Sequence, residues 1–135
     1  MENYAGLINI LLQHGQRFFE IWNFQIIIAV AVMGFVMSRE GLVSKNRVRI
    51  NITIVFLMIA IFSVHTESVH HQRETLLWSA LEARVAAAPG QFTLEEVDYL
   101  DSLKPTSFIL KAGALIVVDL LAIAITWMSP RMREE

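Results

Sequence analysis

The sequence predicts an all-α integral membrane protein with three transmembrane helices and a helical extramembrane segment between the second and the third. Hydrophobic residues make up 55% of the 135 residues and charged residues only 18%, whereas soluble domains are about a quarter charged. The mean hydropathy is +0.50. The apolar residues concentrate in three runs, and the segments between the runs alternate in charge. The length suits a single domain.

The three apolar runs cover residues 18–38, 50–65 and 107–128. A membrane-spanning helix needs roughly 20 mainly apolar residues. The first and third runs meet that length, and the second, with 16 residues, spans only if its flanks are counted. The alternative is that the runs are buried core helices. Three runs that are apolar on every face would need a much larger soluble protein to cover them, so we favour membrane spans.

The charged residues between the runs predict the orientation. The loop 39–49 has four basic residues against one acidic residue, a net charge of +3, and segment 66–106 has three against seven, a net charge of −4. Arg131 and Arg133 follow the third run. Because Lys and Arg stay on the cytoplasmic side of short loops, the N-terminus is expected outside, and the loop 39–49 and the tail 129–135 inside.

The segment 66–106 is expected to be helical and to lie outside the membrane. No helix breaker occurs after the second run until Pro89-Gly90, so the second helix should continue to about Ala88. Thr93 followed three residues later by Glu96 matches a capping box, which predicts a second short helix. Residues 1–17 are expected to form an outer interfacial segment, with the polar residues 13–17 interrupting its apolar stretch.

Asp119 and Lys111 lie within the third span, where ionisable side chains cost several kcal/mol unless they are paired, protonated or facing water. Asp119 is near the middle of the span and is either a pathway carboxylate or a helix-pairing residue. Two helical turns, ~12 Å, separate it from Lys111, which is too far for an ion pair within one helix. Lys111 is expected to snorkel to the outer headgroups, the alternative being a pair with Asp119 of a neighbouring subunit.

Two further groups of residues could carry a function outside the membrane. Glu67, His70, His71 and Glu74 share one helical face, a spacing compatible with metal binding or pH sensing. Ordinary Glu–His pairs on a solvated face are the favoured explanation of this spacing. An acidic face would attract cations to the outer surface, and it consists of Glu95, Glu96, Asp98 and Asp101.

The sequence excludes several classes of function. There is no cysteine, hence no disulfide, zinc–thiolate site, iron–sulfur cluster or thiol nucleophile. No nucleotide-binding or cofactor signature and no nucleophile–base pair is visible, so no cofactor is expected and an enzyme is the least favoured class. The net charge of −2 is too small to indicate a nucleic-acid partner. The expected partner is the lipid bilayer, in a multi-pass protein of a bacterial inner membrane.

Three hypotheses follow. The leading one is a small homo-oligomer that forms or lines an ion or proton pathway through Asp119, since three helices make a thin bundle around a charge at mid-membrane. The small residues Ala112-Gly113-Ala114 would permit close helix association. The second is a non-catalytic accessory or scaffold subunit of a larger membrane complex. The third is an outer-face metal or pH sensor that uses the Glu/His cluster.

Overall fold

The computed structural model describes residues 2–39 and 45–128, and within them the chain is helical apart from short connections. The four helices there are α1 (Glu2–Ser38), α2 (Asn46–Ala87), α3 (Leu94–Ser102) and α4 (Phe108–Met128). Helices α1, α2 and α4 are each long and apolar enough to cross a membrane, as the sequence predicts for a multi-pass membrane protein. Residues 40–44 of the predicted basic loop and the predicted tail, 129–135, lie outside the described residues.

Helices α1 and α2 are longer than a membrane requires. With 37 and 42 residues they are ~55 Å and ~63 Å long, against a hydrocarbon core of about 30 Å. The predicted continuation of the second helix as far as residue 88 is confirmed. The expected interruption at residues 13–17 is wrong, because α1 runs through them unbroken. A single helical glycine such as Gly15 costs only about 1 kcal/mol, and packing on both sides outweighs that cost.

The three long helices pack along seams with the period of a coiled coil. On α4 the buried positions Ala112, Leu115, Asp119, Ala122 and Thr126 recur at intervals of three and four residues. On α2 the buried residues are spaced by four or seven, and they are Phe56, Ser63, Glu67, Glu74 and Leu81. This spacing keeps one narrow face of each helix turned to its neighbours.

Two apolar clusters close the bundle at its ends. One contains Leu11, Leu81 and Leu100 and joins α1, α2 and α3; we call this the α3 end. The other contains Ala29, Phe56 and Ala122 and joins α1, α2 and α4; we call the side on which it lies the loop end, because α1 leads from it into the connection to α2. The buried residues between the two clusters are mostly polar.

The chain reverses direction at the α3 end through a turn and a helix cap. The Gln91 amide donates to the Ala88 carbonyl oxygen at 3.2 Å, and Gly90 has φ of 84°, the pattern of a type II turn with Pro89 at its second position. The predicted capping box is confirmed. The Thr93 hydroxyl accepts from the Glu96 amide at 3.3 Å, and the Thr93 amide donates to the Glu96 carboxylate at 2.7 Å.

At the loop end, α4 is attached to α2 by a tryptophan. The Trp127 indole donates to the Thr53 hydroxyl at 3.0 Å, and the Arg49 guanidinium lies 5.6 Å from the centre of the Trp127 ring. Such a cation–π contact contributes about 0.5–2 kcal/mol. Together with the hydrogen bond, it joins the last turn of α4 to the first turns of α2.

Candidate functional site: a buried polar network

The interior of the bundle is unusually polar. Among the described residues, nine apolar side chains are buried and seven polar or charged ones are buried beside them, although polar side chains are normally rare in such interiors. Six of the seven form two adjoining groups between α1, α2 and α4. We call these six the polar network: Gln25, Ser63, Glu67, Glu74, Lys111 and Asp119.

The first group surrounds Asp119 near the middle of α4. The Gln25 side-chain amide on α1 donates to the Ser63 hydroxyl on α2 at 2.7 Å and to Asp119 Oδ2 at 3.3 Å. Three helices therefore meet through one amide. The Asp119 side chain is only 2% exposed, so its own chain hides it. A homo-oligomer is not needed to bury this carboxyl group, contrary to the reason we gave for expecting one.

The second group holds Lys111 between two glutamates of α2. The Lys111 ammonium donates to Glu74 Oε2 at 2.7 Å and lies 3.4 Å from Glu67 Oε1. It is also 5.6 Å from the centre of the Phe18 ring on α1. Lys111 is only 8% exposed. The expectation that it snorkels to the headgroups is wrong, because two carboxylates within the bundle offer a stronger partner than water at the surface.

The charges of this second group do not balance when all three residues are ionised. One ammonium faces two carboxylates, and the shorter contact goes to Glu74. Glu67 is 1% exposed, and neither of its carboxyl oxygens has a hydrogen-bond partner. A buried carboxylate without a hydrogen bond costs several kcal/mol. Glu67 is therefore the least satisfied charged group in the network.

The two groups form one continuous column on α2. Ser63 and Glu67 are four residues apart on the same buried face, so their side chains are neighbours one helical turn, ~6 Å, apart. The Gln25 carbonyl oxygen, beside Ser63, also lacks a hydrogen-bond partner. Unsatisfied oxygen atoms thus lie on both sides of the junction between the groups.

A cavity reaches the network from the α3 end. It has a volume of about 520 Å³ and lies between α1 and residues 103–106, with Glu74 and Lys111 in its wall. A second cavity of about 510 Å³ between α1 and α2 is nearly all apolar and reaches Ser63. Neither cavity is lined by Glu67, Gln25 or Asp119. Access thus ends at the two margins of the network.

Towards the loop end the column stops. On the loop-end side of Asp119 the helices meet through Ala29, Phe56 and Ala122, and the Phe56 side chain is only 1% exposed. Thr126, the seventh buried polar residue, donates to the Ala122 carbonyl of its own helix at 2.8 Å. The network is thus approached from the α3 end and blocked by apolar side chains at the loop end.

The predicted Glu/His cluster is divided in the structure. Glu67 and Glu74 face Lys111, whereas the His70 ring lies 5.8 Å from that of His14 on α1 and the His71 ring 5.7 Å from that of Phe108. Within residues 2–39 and 45–128, no group of three or more His, Asp or Glu side chains could hold a metal ion. The metal version of the sensor hypothesis thus gains no support from the geometry, and the His14–His70 contact is what remains for a pH sensor.

The predicted acidic residues of α3 all lie at the surface and are Glu95, Glu96, Asp98 and Asp101. Glu96 has a structural role in addition, because it accepts hydrogen bonds from the amide and the hydroxyl of Thr93. These bonds, chiefly the one from the backbone amide, hold the pKa of Glu96 below its usual value. The other three are free to contribute negative potential at the α3 end.

The sequence identifies four of the six members, Glu67, Glu74, Lys111 and Asp119, but does not bring them together. Its spacing presents Glu67 and Glu74 as partners of histidines. The depth of Lys111 in its span was the usable signal, since a charge at that depth needs a partner on a neighbouring helix. Comparison with known proteins adds no family to this picture: no family model, curated protein or solved structure matches the chain.

Proposed function

We propose that this protein forms a proton or cation pathway in a membrane and that the pathway runs inside the three-helix bundle of each subunit, with Asp119 as its central carboxylate. The observation that carries the proposal is the polar network. Among the residues that the structure describes, seven buried ones are polar, and six of these form a column from the middle of α4 towards the α3 end. Ionisable residues in such positions usually mark ion and proton routes.

The orientation follows from the charges of the connecting segments. With the loop 39–49 in the cytoplasm, the α3 end faces outwards. The cavity beside Glu74 and Lys111 then gives access from outside, and the acidic surface of α3 raises the local concentration of cations. This arrangement suits a bacterial inner membrane, across which a proton gradient would drive inward movement.

Phe56 and its apolar neighbours are the gate in this proposal. They separate Asp119 from the loop end, so an ion that reaches Asp119 proceeds only when α2 or α4 shifts. A closed apolar constriction is a known way to stop ion passage. The homo-oligomer stays part of the proposal, and each subunit would contribute its own pathway.

The test is ion flux into vesicles that contain the purified protein. A potassium diffusion potential drives ions inwards, and a pH-sensitive dye inside the vesicles reports protons. Wild-type protein is expected to conduct. The flux through Asp119→Asn should be at least tenfold lower, because an amide accepts the Gln25 hydrogen bond but carries no exchangeable acid proton. Glu82→Gln removes an exposed carboxylate of α2 and should leave the flux unchanged. Equal flux in wild type and Asp119→Asn would refute the pathway.

A second candidate function rests on the surface of the α3 end. Large apolar side chains are exposed there, outside the three apolar runs of the sequence, namely Leu76, Leu94 and Tyr99. Exposed apolar groups of this size are typical of protein-binding surfaces, which favours an accessory or scaffold subunit. Mild crosslinking in native membranes followed by mass spectrometry tests it. A different polypeptide at fixed stoichiometry supports this function, and crosslinks only between copies of this chain contradict it.

A further inference from the structure

Glu67 is the residue whose surroundings the proposed pathway leaves unexplained. It lies between the Lys111 group and the Asp119 group, is almost completely buried, and has no hydrogen bond to either carboxyl oxygen. Lys111 gives its short contact, 2.7 Å, to Glu74 and only a 3.4 Å contact to Glu67. A buried glutamate of this kind needs one further positive charge nearby, and the described residues supply no second cation within salt-bridge distance of it.

The pattern of unsatisfied atoms in the network identifies what is missing. Three atoms of the network lack a hydrogen-bond partner, namely the two carboxyl oxygens of Glu67 and the carbonyl oxygen of Gln25. All three are acceptors. The network is therefore short of a hydrogen-bond donor as well as of a positive charge, and one proton supplies both.

We propose that Glu67 carries a proton in the resting protein and is a second proton-binding carboxyl group of the pathway, which makes the proton the transported ion. The inference deepens the proposed function and rests on it. A protonated Glu67 is neutral, which leaves Lys111 and Glu74 as a balanced pair. Its O–H is then a donor one helical turn from the layer of Ser63 and Gln25, where the Gln25 carbonyl oxygen lacks a hydrogen-bond partner.

A metal cation fits the same place poorly. Hard cations in proteins take six or more oxygen ligands, and here the Glu74 carboxylate is already bound to the Lys111 ammonium. An added cation would stand beside that ammonium and be repelled by it. Neither cavity that borders the network is lined by Glu67. A proton requires no space of its own.

The groups that face Glu67 define the transfer. Lys111 on α4 and Glu74 on α2 are its charged neighbours, and His71 on α2 is near enough to interact electrostatically. On the α1 side, Gln25 is the polar neighbour beyond Ser63. Glu67 gives its proton to ionised Asp119 once the Gln25 amide, which donates to both Ser63 and Asp119, turns away from them, and it is reprotonated from the cavity at Glu74 and Lys111. One proton enters and one leaves, so the total charge is conserved.

Infrared spectroscopy of the protein in lipid nanodiscs tests the assignment directly. A protonated carboxyl group in an apolar site gives a C=O stretching band, separate from ionised carboxylates, that shifts in D₂O. We expect this band in wild-type protein at neutral pH and expect Glu67→Gln to remove one component of it. Glu82→Gln, a matched loss of an exposed carboxylate, should leave the band unchanged. An unchanged band in folded Glu67→Gln, or no such band in the wild type, would overturn the inference.

Flux through the same variants separates this inference from the proposed function. Glu67→Gln should lower proton flux at least tenfold, because an amide in that place has no proton to pass on, and Glu67→Asp should restore part of it. A conducting wild type whose flux survives Glu67→Gln retains the pathway and refutes the role of Glu67. A wild type that conducts nothing but shows the Glu67 band refutes the pathway while the protonated state of Glu67 stands.

Discussion

Replacement of Lys111 by methionine tests the buried ion pair most sharply, because the two explanations of this lysine predict opposite results. The Lys111, Glu74 and Glu67 side chains are 9%, 6% and 1% exposed, so solvent screens their interaction little. Removal of one partner of a buried ion pair typically costs about 3–5 kcal/mol, because it leaves an uncompensated charge. We therefore expect Lys111→Met to lower the free energy of unfolding by about 3–5 kcal/mol at neutral pH.

The measurement is reversible unfolding in mixed detergent micelles, followed by circular dichroism and tryptophan fluorescence. Lys104→Met is the control, since Lys104 is exposed and its loss should change the stability by no more than about 0.5 kcal/mol. Glu74→Gln added to Lys111→Met should recover most of the lost stability, because it removes the carboxylate that lost its partner.

A snorkelling lysine predicts the opposite. Methionine is more favourable than lysine in a membrane span, so Lys111→Met would then be neutral or stabilising, and Glu74→Gln would have no compensating effect. Either result would refute the ion pair and, with it, the charge balance from which the role of Glu67 is inferred.

The remaining predictions concern the gate and the α3 end. Phe56→Ala should cost about 3–5 kcal/mol, chiefly from the cavity it leaves, and should raise proton leak through the bundle, whereas the exposed Phe62→Ala should do neither. Unchanged proton leak in a folded Phe56 variant would argue against the gate. Thr93→Ala should cost about 0.5–2 kcal/mol through loss of the helix cap, measured by thermal unfolding. Because the pKa of Glu96 is lowered in the folded state, its share of the capping stability should be present above the ordinary glutamate pKa and disappear as the pH falls through the lowered value. A constant difference in melting temperature between wild type and Glu96→Gln over this acid range would contradict that assignment.

The fold was largely predictable because its signals are local. Apolar runs long enough to span a bilayer mark the three long helices, and the absence of a breaker before Pro89 marks the length of α2. The Thr93–Glu96 spacing marks the start of α3. Each signal lies within a few residues of the element that it predicts. The predicted interruption at residues 13–17 is wrong because polar residues alone do not end a helix. Glutamine, histidine and arginine are all compatible with one.

The polar network was much less predictable because its contacts are distant in sequence. Lys111 and Glu74 are 37 positions apart, and Gln25 and Asp119 are 94 apart. Helices that are apolar on every side do not reveal which face is turned inwards. The regular spacing of Ala112, Leu115 and Asp119 is a usable signal, since it places Asp119 on the same seam as small and apolar core residues.

The measurement that tests the central claim most directly is proton flux into vesicles that contain wild-type protein or Asp119→Asn, at equal protein content and under the same potential. The pathway inside the bundle predicts flux well above that of empty vesicles for the wild type and a loss of at least tenfold in the variant. Wild-type flux no greater than that of empty vesicles, or equal flux in the two proteins, would contradict it and leave Asp119 as a residue that joins helices.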